Sequence, residues 1–142
     1  MRATITQVEA HCTHSCNFTC ESCTHFSNEN YLGRETPESW REKLSPWAAR
    51  IQPRNFLVLG GEPTLNPDLC DILEVTRELW PEPEVRIMLV TNGWFLHRHP
   101  RLREVLPANR IILDISIHHD APEYTEKLRE IKQLVDSWGI TA

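Results

Sequence analysis

Four of the chain's five cysteines and three of its seven histidines lie between His11 and His25. Within that stretch Cys16, Cys20 and Cys23 follow the spacing C-x3-C-x2-C. Three thiolates on a short loop can hold three corners of an iron–sulfur cluster and leave the fourth iron without a protein ligand. An open metal position implies that another molecule binds there. A structural zinc site is the main alternative, because His11, Cys12, His14 and His25 offer extra nitrogen and sulfur donors. Against zinc, no second Cys or His pair follows at finger or ribbon spacing. Cys12 reads as a neighbour rather than a ligand, since the triad is complete without it. Cys70 reads as a small core or surface residue.

The elements that must position this loop alternate along the chain. Thr4 to Ala10 is a strand leading straight into the cysteines. Thr36 and Pro37 open a helix carrying Trp40, Leu44, Trp47, Ala48 and Ile51 at helical spacing. Pro46 inside that pattern predicts a kink, or a restart capped by Ser45. The run Phe56–Leu59 predicts a strand buried on both faces, ending at Gly60-Gly61-Glu62-Pro63. Asn66-Pro67-Asp68 opens the next helix, with Leu69, Ile72, Leu73, Leu79 and Trp80 as its apolar stripe. A third strand, Val85 to Val90, ends at Thr91-Asn92-Gly93. A short helix follows over Pro100 to Leu106, closed by Pro107, and a fourth strand spans Arg110 to Ile117. Asp120 and Pro122 start the last helix, which Gly139 stops. Ile140-Thr141-Ala142 reads as the start of a further strand. The tryptophans Trp40, Trp47, Trp80 and Trp138 are expected in packing, and Trp94 at the border of a pocket.

This order predicts an α/β fold, a partial parallel βα barrel of about four units. Ligand chemistry in such folds gathers beyond the carboxyl ends of the strands. The cysteine loop, Gly-Gly-Glu, Thr-Asn-Gly and the Ser116/His118 pair all fall at that rim. His118-His119 suits metal or acid–base work, and solvent exposure equally.

Composition bounds the rest. A chain of 142 residues, 40% hydrophobic and 25% charged, should form one domain with a true core. The net charge of -5 argues against a broad nucleic-acid surface. No apolar run approaches the ~20 residues a membrane span needs, and no signal-peptide segment opens the chain, so a cytoplasmic address is the default. Clustered, odd-numbered cysteines agree with a reducing compartment.

The triad after a first strand, followed by Gly60-Gly61-Glu62-Pro63 after a second, resembles the radical S-adenosylmethionine (radical SAM) superfamily. The resemblance covers essentially the whole chain. It implies that Cys16, Cys20 and Cys23 ligate a 4Fe-4S cluster whose unique iron is chelated by SAM. It implies that Gly60 and Gly61 let backbone approach the methionyl end, and that Glu62 or adjacent backbone accepts from the SAM amino group. Thr91 and Asn92 would line the cavity, and Ser116 and His118 would contact the ribose or carboxylate. One electron from the reduced cluster would then cleave SAM to methionine and a 5'-deoxyadenosyl radical, which takes hydrogen from an unknown substrate. The implied partner is a one-electron reductant of flavodoxin or ferredoxin type.

Two departures shape the expectation. Ser22 stands before the third cysteine, where the family commonly has an aromatic residue near the adenine; Phe18, His25 or Phe26 are the candidates to cover that face. The family core has six βα units and this chain supplies four. Residues 1–142 are therefore expected to be the N-terminal portion of a radical SAM core, truncated, with open sheet edges that favour self-association or a completing partner chain. A non-catalytic iron–sulfur electron-transfer protein and a zinc-stabilised binding domain are the competing readings.

Overall fold

A computed structural model describes residues 1–29, 31–118 and 122–140. The order is β1 (Ala3–His11), α1 (Pro37–Ala48), β2 (Ile51–Leu59), α2 (Leu69–Leu79), β3 (Arg86–Thr91), α3 (Leu102–Ala108), β4 (Ile111–Ile115) and α4 (Pro122–Ser137). The four strands form one sheet in the order β1-β2-β3-β4, every neighbouring pair parallel. Four βα units thus build an open piece of a barrel, as the alternation predicts.

Register explains the core. Phe56 pairs with Ile87 and Ile87 with Ile111, while Val58 pairs with Leu89 and Leu89 with Leu113. Side chains two apart share a face, so these six residues form two buried rows across the sheet. Leu69, Ile72, Leu73 and Trp80 of α2 and its end, with Leu102 and Leu106 of α3, close over them. The other face carries Leu57, Met88 and Val90, which are only partly buried. The apolar run of β2 is therefore covered fully on one side, not on both.

Local chemistry sets the element ends. Thr36 caps α1 by accepting from Ser39 N, and Ser39 Oγ accepts from Thr36 N in return. The α1 helix runs on through Pro46 without a restart; Ser45 Oγ donates back to Arg41 O at 2.7 Å instead of capping. Strand β2 begins at Ile51 because Ala3, Thr4 and Ile5 pair with Ile51, Gln52 and Pro53. Pro53 is tolerated there because β3 pairs only from Asn55 onward. The α3 helix passes Pro107 by one residue, and β4 is shorter than its apolar run.

Trp40, Trp80 and Trp138 pack as expected, but Trp47 is 58% exposed, so its place on the α1 stripe does not bury it. Gly139 has φ +68° at the end of α4, a conformation glycine adopts without strain. The cap expected at Asp120, the His119 reading and the start of a strand at Thr141-Ala142 lie outside the described residues.

Candidate functional site at the carboxyl rim of the sheet

All four strands point their carboxyl ends to one rim, and the chain leaves β1 there on a long excursion that returns at Glu35. Its base is closed by backbone pairing. Cys12 N donates to Leu59 O at 2.8 Å, Glu35 N to Cys12 O at 2.9 Å and His14 N to Gly33 O at 3.0 Å. Thr13 and Arg34 form an isolated antiparallel bridge. Asn66, fully buried, donates from Nδ2 to Cys12 O at 2.8 Å and to Glu35 O at 2.9 Å.

The two glycines after β2 sit against this loop. Gly61 N donates to Thr13 O at 2.9 Å and Glu62 N to Ser15 O at 2.8 Å. A Cβ on Gly60 would stand 2.3 Å from Thr13 O, and one on Gly61 would stand 2.1 Å from Ser15 O. Close backbone approach is required here, and it is the cysteine loop that makes it.

Glu62 is 1% exposed and both of its oxygens are engaged within the chain. Oε1 accepts from Thr64 N at 2.9 Å, Thr64 Oγ1 at 2.5 Å and the Thr91 hydroxyl. Oε2 accepts from Asn92 N at 2.8 Å. The carboxylate thus ties the end of β2 to the end of β3, and four donors offset the cost of burying its charge. Thr91 Oγ1 also accepts from Gly93 N at 3.0 Å, and Asn92 Oδ1 accepts from Trp94 N at 3.0 Å. Asn92 Nδ2 reaches the loop, donating to Asn17 Oδ1 at 2.9 Å.

Cys16, Cys20 and Cys23 are all partly buried and line one cavity of about 220 Å³ with Gly60, Gly61 and His118. A neighbouring cavity of about 120 Å³ is lined by Glu62, Thr91, Asn92 and Ser116. His25, Gly60, Gly61 and His118 border both. The four polar stretches named from the sequence therefore meet where the two cavities join. Among the described residues, no three His, Cys, Asp or Glu side chains converge as they would on a single metal ion.

The thiols differ in their surroundings. Burial pushes the Cys16 thiol up, partly countered by Phe18 N donating to its sulfur at 3.4 Å. For Cys23 burial also acts upward, but the backbone N–H groups of His25, Ser27, Asn28 and Phe26 together bring it below the ordinary thiol range. Cys12 is 0% exposed in the core, where burial, with Glu62 nearby, drives its thiol far upward. Cys70 is buried too.

The aromatic residues divide. Phe18 packs against Trp94, His118 and Tyr124, with ring centroids 5.7, 5.8 and 5.5 Å away. His25 meets His11 edge-on at 4.6 Å, and Phe26 is 65% exposed. Ser22 and His118 face a further cavity of about 620 Å³ together with Phe18 and Cys20. Trp94 does border a cavity, with Gly93, Lys127 and Ile131, but a different one from that of the cysteines. Ser116 N donates to Thr91 O at 2.8 Å, and Ser116 O accepts from the Tyr124 hydroxyl at 3.0 Å.

Sequence reasoning passes over Asn17, Thr64, Asn66 and His99. Asn66 precedes a proline and reads as a helix opener, and His99, which bonds Thr64 O at 2.8 Å, has no spacing signal at all. Asn17 stands out only by its place beside Cys16.

A parallel βα sheet whose rim joins a three-thiol loop to Gly-Gly-Glu is the arrangement the sequence resemblance leads one to expect. The family comparison agrees: a model described as the radical SAM superfamily matches residues 11–138, and the chain belongs to that superfamily of enzymes. Membership implies a 4Fe-4S cluster and SAM as its cofactors. The chain is 29% identical over 136 residues to a protein of Thermococcus kodakarensis described as a probable GTP 3',8-cyclase, covering 92% of this chain and 40% of that one. It is 31% identical over 84 residues to a protein of Sulfolobus acidocaldarius with the same description, covering 59% and 26%. The chain thus spans less than half the length of these relatives. Among the described residues no helix is long and apolar enough to cross a membrane.

Proposed function

We propose that this chain is the N-terminal portion of a radical SAM core, in which Cys16, Cys20 and Cys23 hold a 4Fe-4S cluster and the rim beside them receives SAM. The observation that carries this is the single cavity shared by the three thiols and its junction with the strand-end cavity at Gly60 and Gly61. In a cubane each thiolate binds its own iron, so the thiols need one cavity rather than one point. The three thiols line one such cavity here.

When bound, the reduced cluster and SAM supply an electron and a sulfonium, whose cleavage gives methionine and a 5'-deoxyadenosyl radical for hydrogen abstraction. The chain's own residues hold and shield that chemistry. The N–H groups around Cys23 favour its thiolate, the form that ligates iron. Gly60 and Gly61 let the cysteine loop close against the end of β2, where their backbone borders both cavities. Glu62 fixes Thr91 and Asn92 through its hydrogen bonds, so it contributes to the SAM pocket first by shaping it. Remaining acceptor capacity at this rim, with Ser116 and His118, is what the SAM amino group and ribose would meet. A one-electron reductant is the required partner, and a cytoplasmic address suits an oxygen-sensitive cluster.

The names of the relatives make GTP the first substrate to try. Anaerobic reconstitution with iron and sulfide, followed by dithionite and SAM, tests the reading. Release of 5'-deoxyadenosine supports it, and its increase with GTP would support that substrate. A stable cluster that forms no 5'-deoxyadenosine favours electron transfer instead. A colourless chain holding one zinc ends both iron readings.

A further inference from the structure

We propose that Asn66, outside the cluster loop and distant from it in sequence, is a positioning residue that holds both ends of that loop in register with β2. The proposal rests on reading the loop as the seat of the cluster. The long excursion from Cys12 to Glu35 begins and ends on the two carbonyls that Asn66 Nδ2 binds, Cys12 O at 2.8 Å and Glu35 O at 2.9 Å. Its Oδ1 accepts from Asp68 N at 3.0 Å, which anchors the same side chain to the start of α2. Both amide protons and the carbonyl oxygen are thereby used, and the residue is 0% exposed.

No other common side chain of this size meets that set. Aspartate would turn an acceptor toward two carbonyl oxygens, and leucine would leave both carbonyls without this donor in a buried setting. The geometry also sets the consequence. Cys12 and Glu35 are already joined by Glu35 N donating to Cys12 O. Asn66 adds a link from that closure to α2, and so to the helix that packs on β2 and β3. The loop's root at Thr13 and Ser15 is then presented to the N–H groups of Gly61 and Glu62. Losing Asn66 should leave the sheet folded and let the loop shift against Gly60-Gly61.

Amide hydrogen exchange on the cluster-free chain tests this without any activity. In Asn66→Ser, the amides of His14, Glu35, Gly61 and Glu62 should exchange at least about tenfold faster, with β2–β3 ladder amides unchanged. Thr36→Ala, which removes a helix cap and leaves the clamp bonds intact, serves as the control for general destabilisation. In the reconstituted chain, Asn66→Ser should raise the KM for SAM by about fivefold or more with a smaller change in kcat, and alter the cluster's EPR spectrum. Thr36→Ala should do neither. Should Asn66→Ser not fold, the unsubstituted chain still decides: those four amides must exchange together, slower than the amides of Cys23 and Phe26. Uniform acceleration across the sheet, or a loop exchange equal to that of Thr36→Ala, overturns the proposal. Failure of SAM cleavage in the unsubstituted chain would strike the function and leave the exchange result standing.

Discussion

Asn92 Nδ2 donates to Asn17 Oδ1 at 2.9 Å, and that bond joins the end of β3 to the residue beside Cys16. On its other side Asn92 N donates to Glu62, so a path of two hydrogen bonds runs from the Gly-Gly-Glu turn to the cysteine loop. Three stretches far apart in sequence are thereby fixed relative to one another before any cofactor arrives.

Glu62 should therefore be needed for folding as well as for binding. Glu62→Gln places an amide NH2 among donors from Thr64, Thr91 and Asn92. We expect a loss of about 2–3 kcal/mol, read from urea unfolding of the cluster-free chain. A change within error would mean that the carboxylate is only a ligand for SAM.

The glycines separate two kinds of constraint. Gly61→Ala puts a Cβ against Ser15 backbone, whereas Gly139→Ala meets nothing within 4 Å and pays only for φ +68°. The expected costs are about 3 kcal/mol for Gly61→Ala and about 1 kcal/mol for Gly139→Ala. Equal Tm shifts would show that the Gly61 contact relaxes freely.

Cysteine substitution should split the five thiols. Cys16→Ala, Cys20→Ala or Cys23→Ala should each abolish a full complement of iron and sulfide after reconstitution. Cys12→Ala and Cys70→Ala should keep it, with Cys12→Ala losing about 1–2 kcal/mol of stability because its side chain is buried in the core. Iron lost from Cys12→Ala but kept by one of the triad variants would reassign the ligands.

Stability should depend on acid through Glu35. Burial acts upward on its carboxyl, but the Lys43 ammonium at 2.5 Å and the Ser39 hydroxyl at 2.6 Å bring it below the ordinary carboxylate range. A depressed folded-state pKa stabilises above the unfolded carboxylate's titration and is lost as pH falls through the folded value. The stability gap between the unsubstituted chain and Glu35→Gln should thus be largest near pH ~7 and shrink toward pH ~3. A gap that widens in acid would contradict this sign.

Among the described residues β1 and β4 are the two outer strands, with Ile112 38% and Ile117 70% exposed at and beyond β4. An open strand edge with exposed isoleucines favours pairing with another chain. Light scattering should show concentration-dependent association, reduced by Ile112→Lys and Ile117→Lys. A monodisperse monomer would count against it.

The sequence was informative where one local signal decides the outcome. Thr36 before Pro37 marks the start of α1, and alternating βα units place Cys16, Glu62, Thr91 and Ser116 at one rim. It was less informative where a partner decides. The β2 start at Ile51 depends on Ala3–Ile5 lying beside it, and Trp47 stays 58% exposed despite its place on the α1 stripe. The family resemblance assigns Glu62 to SAM; Thr64 is a donor two residues away, but Thr91 and Asn92 supply theirs only once β3 lies beside β2. Asn66 was hidden for the same reason, since its two acceptors lie 54 and 31 positions away.

The most direct measurement is the EPR spectrum of the anaerobically reconstituted, reduced chain before and after SAM is added. A 4Fe-4S signal that changes on adding SAM, and is lost from Cys16→Ala, Cys20→Ala and Cys23→Ala, is the result expected of an open iron that SAM chelates. A cluster signal indifferent to SAM, or one that survives loss of a triad cysteine, would contradict it.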